Sequence, residues 1–204
     1  MTTEITSGKR KGLEAVADSR GVIAALAIDQ RGAMRRLFAK AMGVESASVP
    51  AEMLVTFKVA VSRILTPHAS AILLDPEYGL PAAKQRAKSA GLLLAYEQTG
   101  YDKRVRGRMP RLLEGWTVKR LVEAGADSVK LLLCYSTLSS AEINDVKHEF
   151  VKQVGAECAE ADVPFFLELV SAELAAVKPE VAARSVAEFS KPGYRVDVLR
   201  VGVP

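Results

Sequence analysis

Residues 123–135 read EAGADSVKLLLCY. A helical pattern stops at Gly125, and within three residues the chain enters an apolar run. Glycine supplies the left-handed turn that ends a helix, so the phrase reads as the joint between a helix and a strand. The run is nearly continuous and does not alternate, which marks a strand covered on both faces, as in a parallel sheet. Lys130 interrupts it. A charge inside such a strand costs several kcal/mol unless it is paired or put to use. Three leucines follow it, so a pocket role is favoured over snorkelling to solvent.

The same reading extends outward. Residues 21–29, 69–75, 90–97, 163–170 and 195–203 are further apolar runs, making six expected strands with 127–135. Between them lie segments with apolar residues three and four apart, or short polar stretches, at 32–42, 53–67, 82–89, 111–126, 140–162 and 178–190, which read as helices. Strands alternating with helices indicate an α/β protein with a parallel sheet, of the (β/α)8 TIM-barrel type. No linker, repeat or low-complexity segment divides the chain, so one domain over 1–204 is expected.

A hydrophobic fraction of 49% and a charged fraction of 25% fit a globular chain long enough for a sizeable core. The net charge of +4 is too small to indicate nucleic-acid binding. The densest basic stretch, KRVRGRMPR at 103–111, reads as a solvated loop, with an anion site as the alternative. The first 18 residues lack the apolar core of a signal peptide, and no run approaches a membrane span. Cys134 and Cys158 have no metal-ligand or CxxC spacing, which fits a reducing cytoplasmic compartment. No metal is expected.

In such folds the C-terminal ends of the strands form the rim where ligands bind. Those ends carry Asp29, Gln30 and Arg31, then Asp75 and Glu77, then Glu97. Lys130, Glu168 and Arg200 sit inside the fourth, fifth and sixth strands. Glu168 is read either as a site carboxylate or as an ion-pair partner of Lys130, and Arg200 as a structural partner of Glu168. Asp29 has an alternative role as the N-cap of the helix that follows. His68 and His148 are expected on the surface. Aspartate, glutamate and lysine converging on one rim suit carbonyl chemistry, in which an amine forms an imine and a carboxylate moves protons.

Five stretches together, ALAIDQRGAMRRLFAK, TFK…ILTPHASAILLDPEYGLPAAK, AGLLLAYEQTGYD, EAGADSVKLLLCY and VPFFLEL, resemble the tagatose 1,6-bisphosphate aldolases. The resemblance runs from about residue 7 to the end, in the family's order. It implies a class I, Schiff-base-forming aldolase barrel that needs no metal or other cofactor. It places the general acid/base on Glu168 and pocket roles on Asp29, Gln30, Arg31 and Lys130, the cationic ones near phosphates or hydroxyls. The implied ligands are a sugar bisphosphate and its triose phosphate products, dihydroxyacetone phosphate and glyceraldehyde 3-phosphate.

Three departures from that pattern qualify the implied activity. The family's sixth strand resembles DVLKVEVP, and here it is DVLRVGVP, so Arg200 occupies the Schiff-base lysine position and Gly202 replaces a glutamate. The segment VSAELAA at 170–176 is short for the family. The chain stops at Pro204, so a barrel cut after six strands is expected, its open edges covered by a second copy. These departures raise the alternative of an inactive sugar-phosphate-binding homologue.

Overall fold

The computed structural model describes residues 5–98, 100, 106–171 and 179–202. Six parallel strands form one sheet in sequential order: β1 (Ala25–Ala27), β2 (Ala71–Leu74), β3 (Gly91–Ala95), β4 (Ser128–Tyr135), β5 (Phe165–Ser171) and β6 (Val198–Val201). Every neighbouring pair is parallel. Among the described residues β1 pairs only with β2 and β6 only with β5, so the sheet is an open arc of a barrel.

Each strand splits its residues between two covers. Leu92, Leu94, Val129, Leu131, Leu133, Phe165 and Leu167 face outward and are buried with the helices. These are α2 (Gly32–Met42), α3 (Ala51–Leu65), α4 (Leu80–Ala83), α5 (Val118–Glu123), α6 (Ala141–Glu160) and α7 (Pro179–Phe189). The inward-facing Leu73, Leu93, Ala95 and Phe166 pack on a different partner, α1 (Ser7–Val16), through Val16 and Leu13. That helix closes the N-terminal mouth of the arc. Gly91 and Gly12 permit it, since a Cβ at either would overlap a backbone oxygen, of Ala15 and Asp127 respectively. Two covered faces explain why the strands read as continuous apolar runs, each buried large side chain contributing about 1.5–3 kcal/mol.

Several expected elements differ. The helix expected over 82–89 is only α4, followed by turns. Ala87 N, which would close the next helical turn on the Ala83 carbonyl, donates to Thr66 Oγ1 at 2.8 Å instead, and the Arg86 guanidinium bonds the carbonyls of Ala83 and Ala90 at 2.7 and 2.9 Å. The helix expected over 111–126 begins at Val118. Gly115 is left-handed at φ 73°, and the Thr117 side chain caps Arg120 N at 3.1 Å, so the helix starts there. β1 is shorter than 21–29, with Val22 and Ile23 exposed on the sheet's edge. The expectations for 172–176 and Pro204 lie outside the described residues. Among the described residues no helix is long and apolar enough to cross a membrane.

Candidate active site

The register of β4, β5 and β6 sets Leu132, Glu168 and Arg200 side by side in one layer, with Lys130 one inward position below. Three carboxylates converge on Lys130. Its Nζ lies 2.9 Å from Asp29, 2.8 Å from Glu97 and 3.1 Å from Glu168, and its side chain is only 3% exposed. Glu97 spends its other oxygen on Leu132 N at 3.0 Å, which locks the carboxylate in place. Burial pushes the ammonium down, but the charges of Glu97, Asp29 and Glu168 outweigh it and hold Lys130 well above the usual lysine value. Lys130 is therefore a fixed ammonium at neutral pH.

Arg200 projects from β6 onto the same layer. Its Nη1 is 3.0 Å from the Glu168 oxygen that does not face Lys130, and 57% of its side chain remains exposed. Glu168 thus bridges two cations. Both structural alternatives considered for it from the sequence are present together, and they sit on the rim itself.

Arg31 anchors the turn after β1. It is buried, donating to Glu77 at 2.7 Å and to the Glu97 carbonyl at 2.7 Å, while its Nε has no partner among the described residues. Asp29 does not cap α2, whose N-cap is Arg31 with no side-chain bond. It reaches Lys130 instead. Gln30 is exposed and lines a rim cavity of about 330 Å³ together with Asp29, Arg31, Glu97, Glu168 and Arg200. All six residues proposed from the sequence are therefore gathered around the C-terminal strand ends. Beneath them an apolar cavity of about 410 Å³, lined by Leu73, Leu93, Phe166 and Val198, fills the arc.

Sequence reasoning placed Glu97 at a strand end without giving it a role. The lysine two strand positions away across β3 and β4 was its signal. Lys58 was missed altogether, because on α3 it looks like one polar residue in a helical pattern. It is wholly buried, pairs with Asp75 and donates to the Ile28 carbonyl at 2.7 Å. Asp75 therefore belongs to this buried pair and not to the rim. His68 is exposed as expected. His148 is not a free surface group: its Nε2 lies 3.0 Å from the Tyr135 hydroxyl, and its ring packs on Phe189 and Tyr194.

A parallel arc with its polar residues gathered at the C-terminal strand ends is the frame of a (β/α)8-type barrel. The family model described as DeoC/LacD family aldolase matches residues 23–204, and the chain belongs to that family. It is 52% identical over 210 residues to tagatose 1,6-diphosphate aldolase 2 of Enterococcus faecalis, covering 98% of this chain and 62% of that protein. Tagatose 1,6-diphosphate aldolase 2 of Streptococcus agalactiae is 46% identical, with 64% of its length covered. The chain thus spans a little over three fifths of the relatives it matches. Among solved structures it is similar to a Corynebacterium glutamicum protein, Cgl0159, at TM-score 0.63 and 20% identity, over 95% of this chain and 65% of that one. An archaeal fructose 1,6-bisphosphate aldolase gives a TM-score of 0.58 at 15% identity, over 92% and 68%. These two likenesses bear on the fold alone.

Proposed function

We propose that the rim cavity is the sugar-bisphosphate site of a tagatose 1,6-bisphosphate aldolase, which cleaves the ketose bisphosphate to dihydroxyacetone phosphate and glyceraldehyde 3-phosphate through a Schiff base. The observation that carries this reading is the ring of Asp29, Glu97 and Glu168 around Lys130 at the strand ends. Glu168 is the proton carrier, because its carboxylate faces the cavity beside Lys130 and Arg200. Lys130 holds the carboxylates in register and orients substrate hydroxyls, while Asp29, Gln30 and Arg31 form the polar wall. Cytoplasmic localisation and pairing with a second copy across the open edges belong to the same proposal.

A Schiff base needs a neutral amine. Arg200, at the position the resemblance gives to the lysine, stays protonated and delocalises its lone pair, so it cannot attack a carbonyl. Among the described residues Lys130 is the lysine that lines the cavity beneath the rim, and attack there requires its proton to pass to Asp29 or Glu168. A second reading follows from Arg200: guanidinium binds phosphate well, so the site would hold sugar phosphates without turning them over. Borohydride reduction in the presence of dihydroxyacetone phosphate separates the two. A covalent adduct that maps to Lys130 and disappears in Lys130→Met supports cleavage. Saturable binding with no adduct at any lysine supports the binding-only reading, and no binding at all refutes both.

A further inference from the structure

Helix α3 has two apolar faces where a surface helix needs one. Leu54, Lys58 and Ser62 mark the inner face and are buried. The outer face carries Met53, Phe57, Ala60 and Ile64, four, three and four residues apart, which is the spacing of a seam between two helices. Phe57 is 41% and Ile64 66% exposed, so no described element covers the stripe. Phe38 of α2 packs edge-on against Phe57 with ring centroids 5.4 Å apart, and these residues with Pro50 border an apolar groove of about 520 Å³. Single exposed apolar residues need no explanation, but a continuous stripe marks an interaction surface.

The stripe is complementary to itself. A two-fold axis perpendicular to α3, level with residues 58 and 59, sets Met53 against Ile64 of a second copy. The same axis sets Phe57 against Ala60, a large side chain facing a small one. Glu52 and Arg63 are eleven residues apart, about three turns, so they share one flank of the stripe. Antiparallel pairing brings that flank face to face with its own copy and leaves each Glu52 within about 3 Å, along the helix axis, of the opposing Arg63. Both residues are exposed, and among the described residues neither side chain has a hydrogen-bond or ion-pair partner. Parallel pairing would turn the two charged flanks away from each other.

We infer that the outer face of α3 is a homodimer seam, in which the helix packs antiparallel on α3 of a second copy. A second copy fits better than another protein, because one pairing covers the apolar stripe and matches both lone charges with residues the chain itself supplies. The seam lies on the helix layer and uses neither the open strand edges nor the rim cavity, so it stands apart from the sugar-phosphate reading.

The test is sedimentation velocity of the whole chain at low ionic strength, with thermal melts to confirm that each variant folds. The wild type, E52R, R63E, E52R/R63E and I64E are compared. The wild type shows a concentration-dependent monomer–dimer equilibrium. Each single charge reversal raises the dimer dissociation constant by about tenfold, because it turns two symmetry-related contacts from attraction to repulsion. The double reversal restores the pairing and returns the constant towards the wild-type value. I64E buries a charge in the seam and leaves the chain monomeric. A double reversal as weak as the single ones would overturn the inference, because rescue belongs to Glu52 facing Arg63 alone. A wild type that stays monomeric up to about 100 μM overturns it as well and leaves the face to a different partner. A dimer indifferent to every variant assembles elsewhere, such as across the open strand edges, and overturns the seam without touching the proposed function.

Discussion

Lys58 lies on α3 with its ammonium between the Ile28 carbonyl and the Asp75 carboxylate, and neither side chain reaches solvent. Burial pushes this lysine down from its usual value, and Asp75 only partly opposes that shift. Ile28 immediately precedes Asp29, and the other Asp75 oxygen accepts Tyr78 N at 2.7 Å, so one ion pair fixes the turns that follow β1 and β2. Removing one partner strands a buried charge. Lys58→Met is expected to cost about 3–5 kcal/mol by denaturant unfolding, with most of it regained in Lys58→Met/Asp75→Asn. A double variant no more stable than the single one would contradict this. His148 obeys the same rule with the opposite visibility. Burial lowers its pKa from the usual 6.5, against the raising influence of Glu188 and Asp145 and with help from Lys152 and Lys191. A base depressed in the folded state takes up its proton more readily when unfolded, so stability is intact above about pH 6.5 and declines as pH falls below it. Because the ring is partly solvated the decline is under about 1 kcal/mol. Thermal melts at pH 7.5 and 5 should show a smaller acid loss in His148→Gln than in the wild type.

Among the elements, α2 and α6 were legible because their apolar spacing and end signals agree. Gly43 ends α2 in the left-handed conformation at φ 68°, its N–H donating to Ala39 O, as a C-terminal glycine should. Lys147, Val151, Val154 and Cys158 mark the buried face of α6 at helical spacing. What the sequence hid were long-range interventions. Thr66 cuts short the helix of 82–89 by taking the Ala87 N–H on its side-chain oxygen, and periodicity carries no record of that. Equally, α1 was not foreseen as a plug, since only the close approaches at Gly12 and Gly91 reveal its place. Gly155 makes a comparable approach on α6, where an added Cβ would overlap the Tyr194 carbonyl oxygen. Gly155→Ala should therefore destabilise by about 1–3 kcal/mol despite alanine's better helix propensity. A neutral or stabilising effect would show that the helix can shift away from the turn containing Tyr194.

At the scale of the whole molecule, six strands in sequential order bend the sheet so that polar strand ends meet on one side and α1 seals the other. The continuous strands made this architecture readable, and the charges that broke them, Lys130, Glu168 and Arg200, pointed to the site. Their pairings were readable only as alternatives, because which of them form depends on register: Glu168 meets Arg200 because β5 and β6 align them. The central claim is that the ring around Lys130 is a ketose-bisphosphate site. Calorimetric titration of tagatose 1,6-bisphosphate into the wild type and into Asp29→Asn, Glu168→Gln and Lys130→Met tests it most directly. The expected result is saturable one-to-one binding, competed by inorganic phosphate and weakened by at least about tenfold in Lys130→Met, consistent with the loss of a buried charge-assisted centre. No saturable binding, or binding indifferent to all three substitutions in chains that still melt cooperatively, would contradict it.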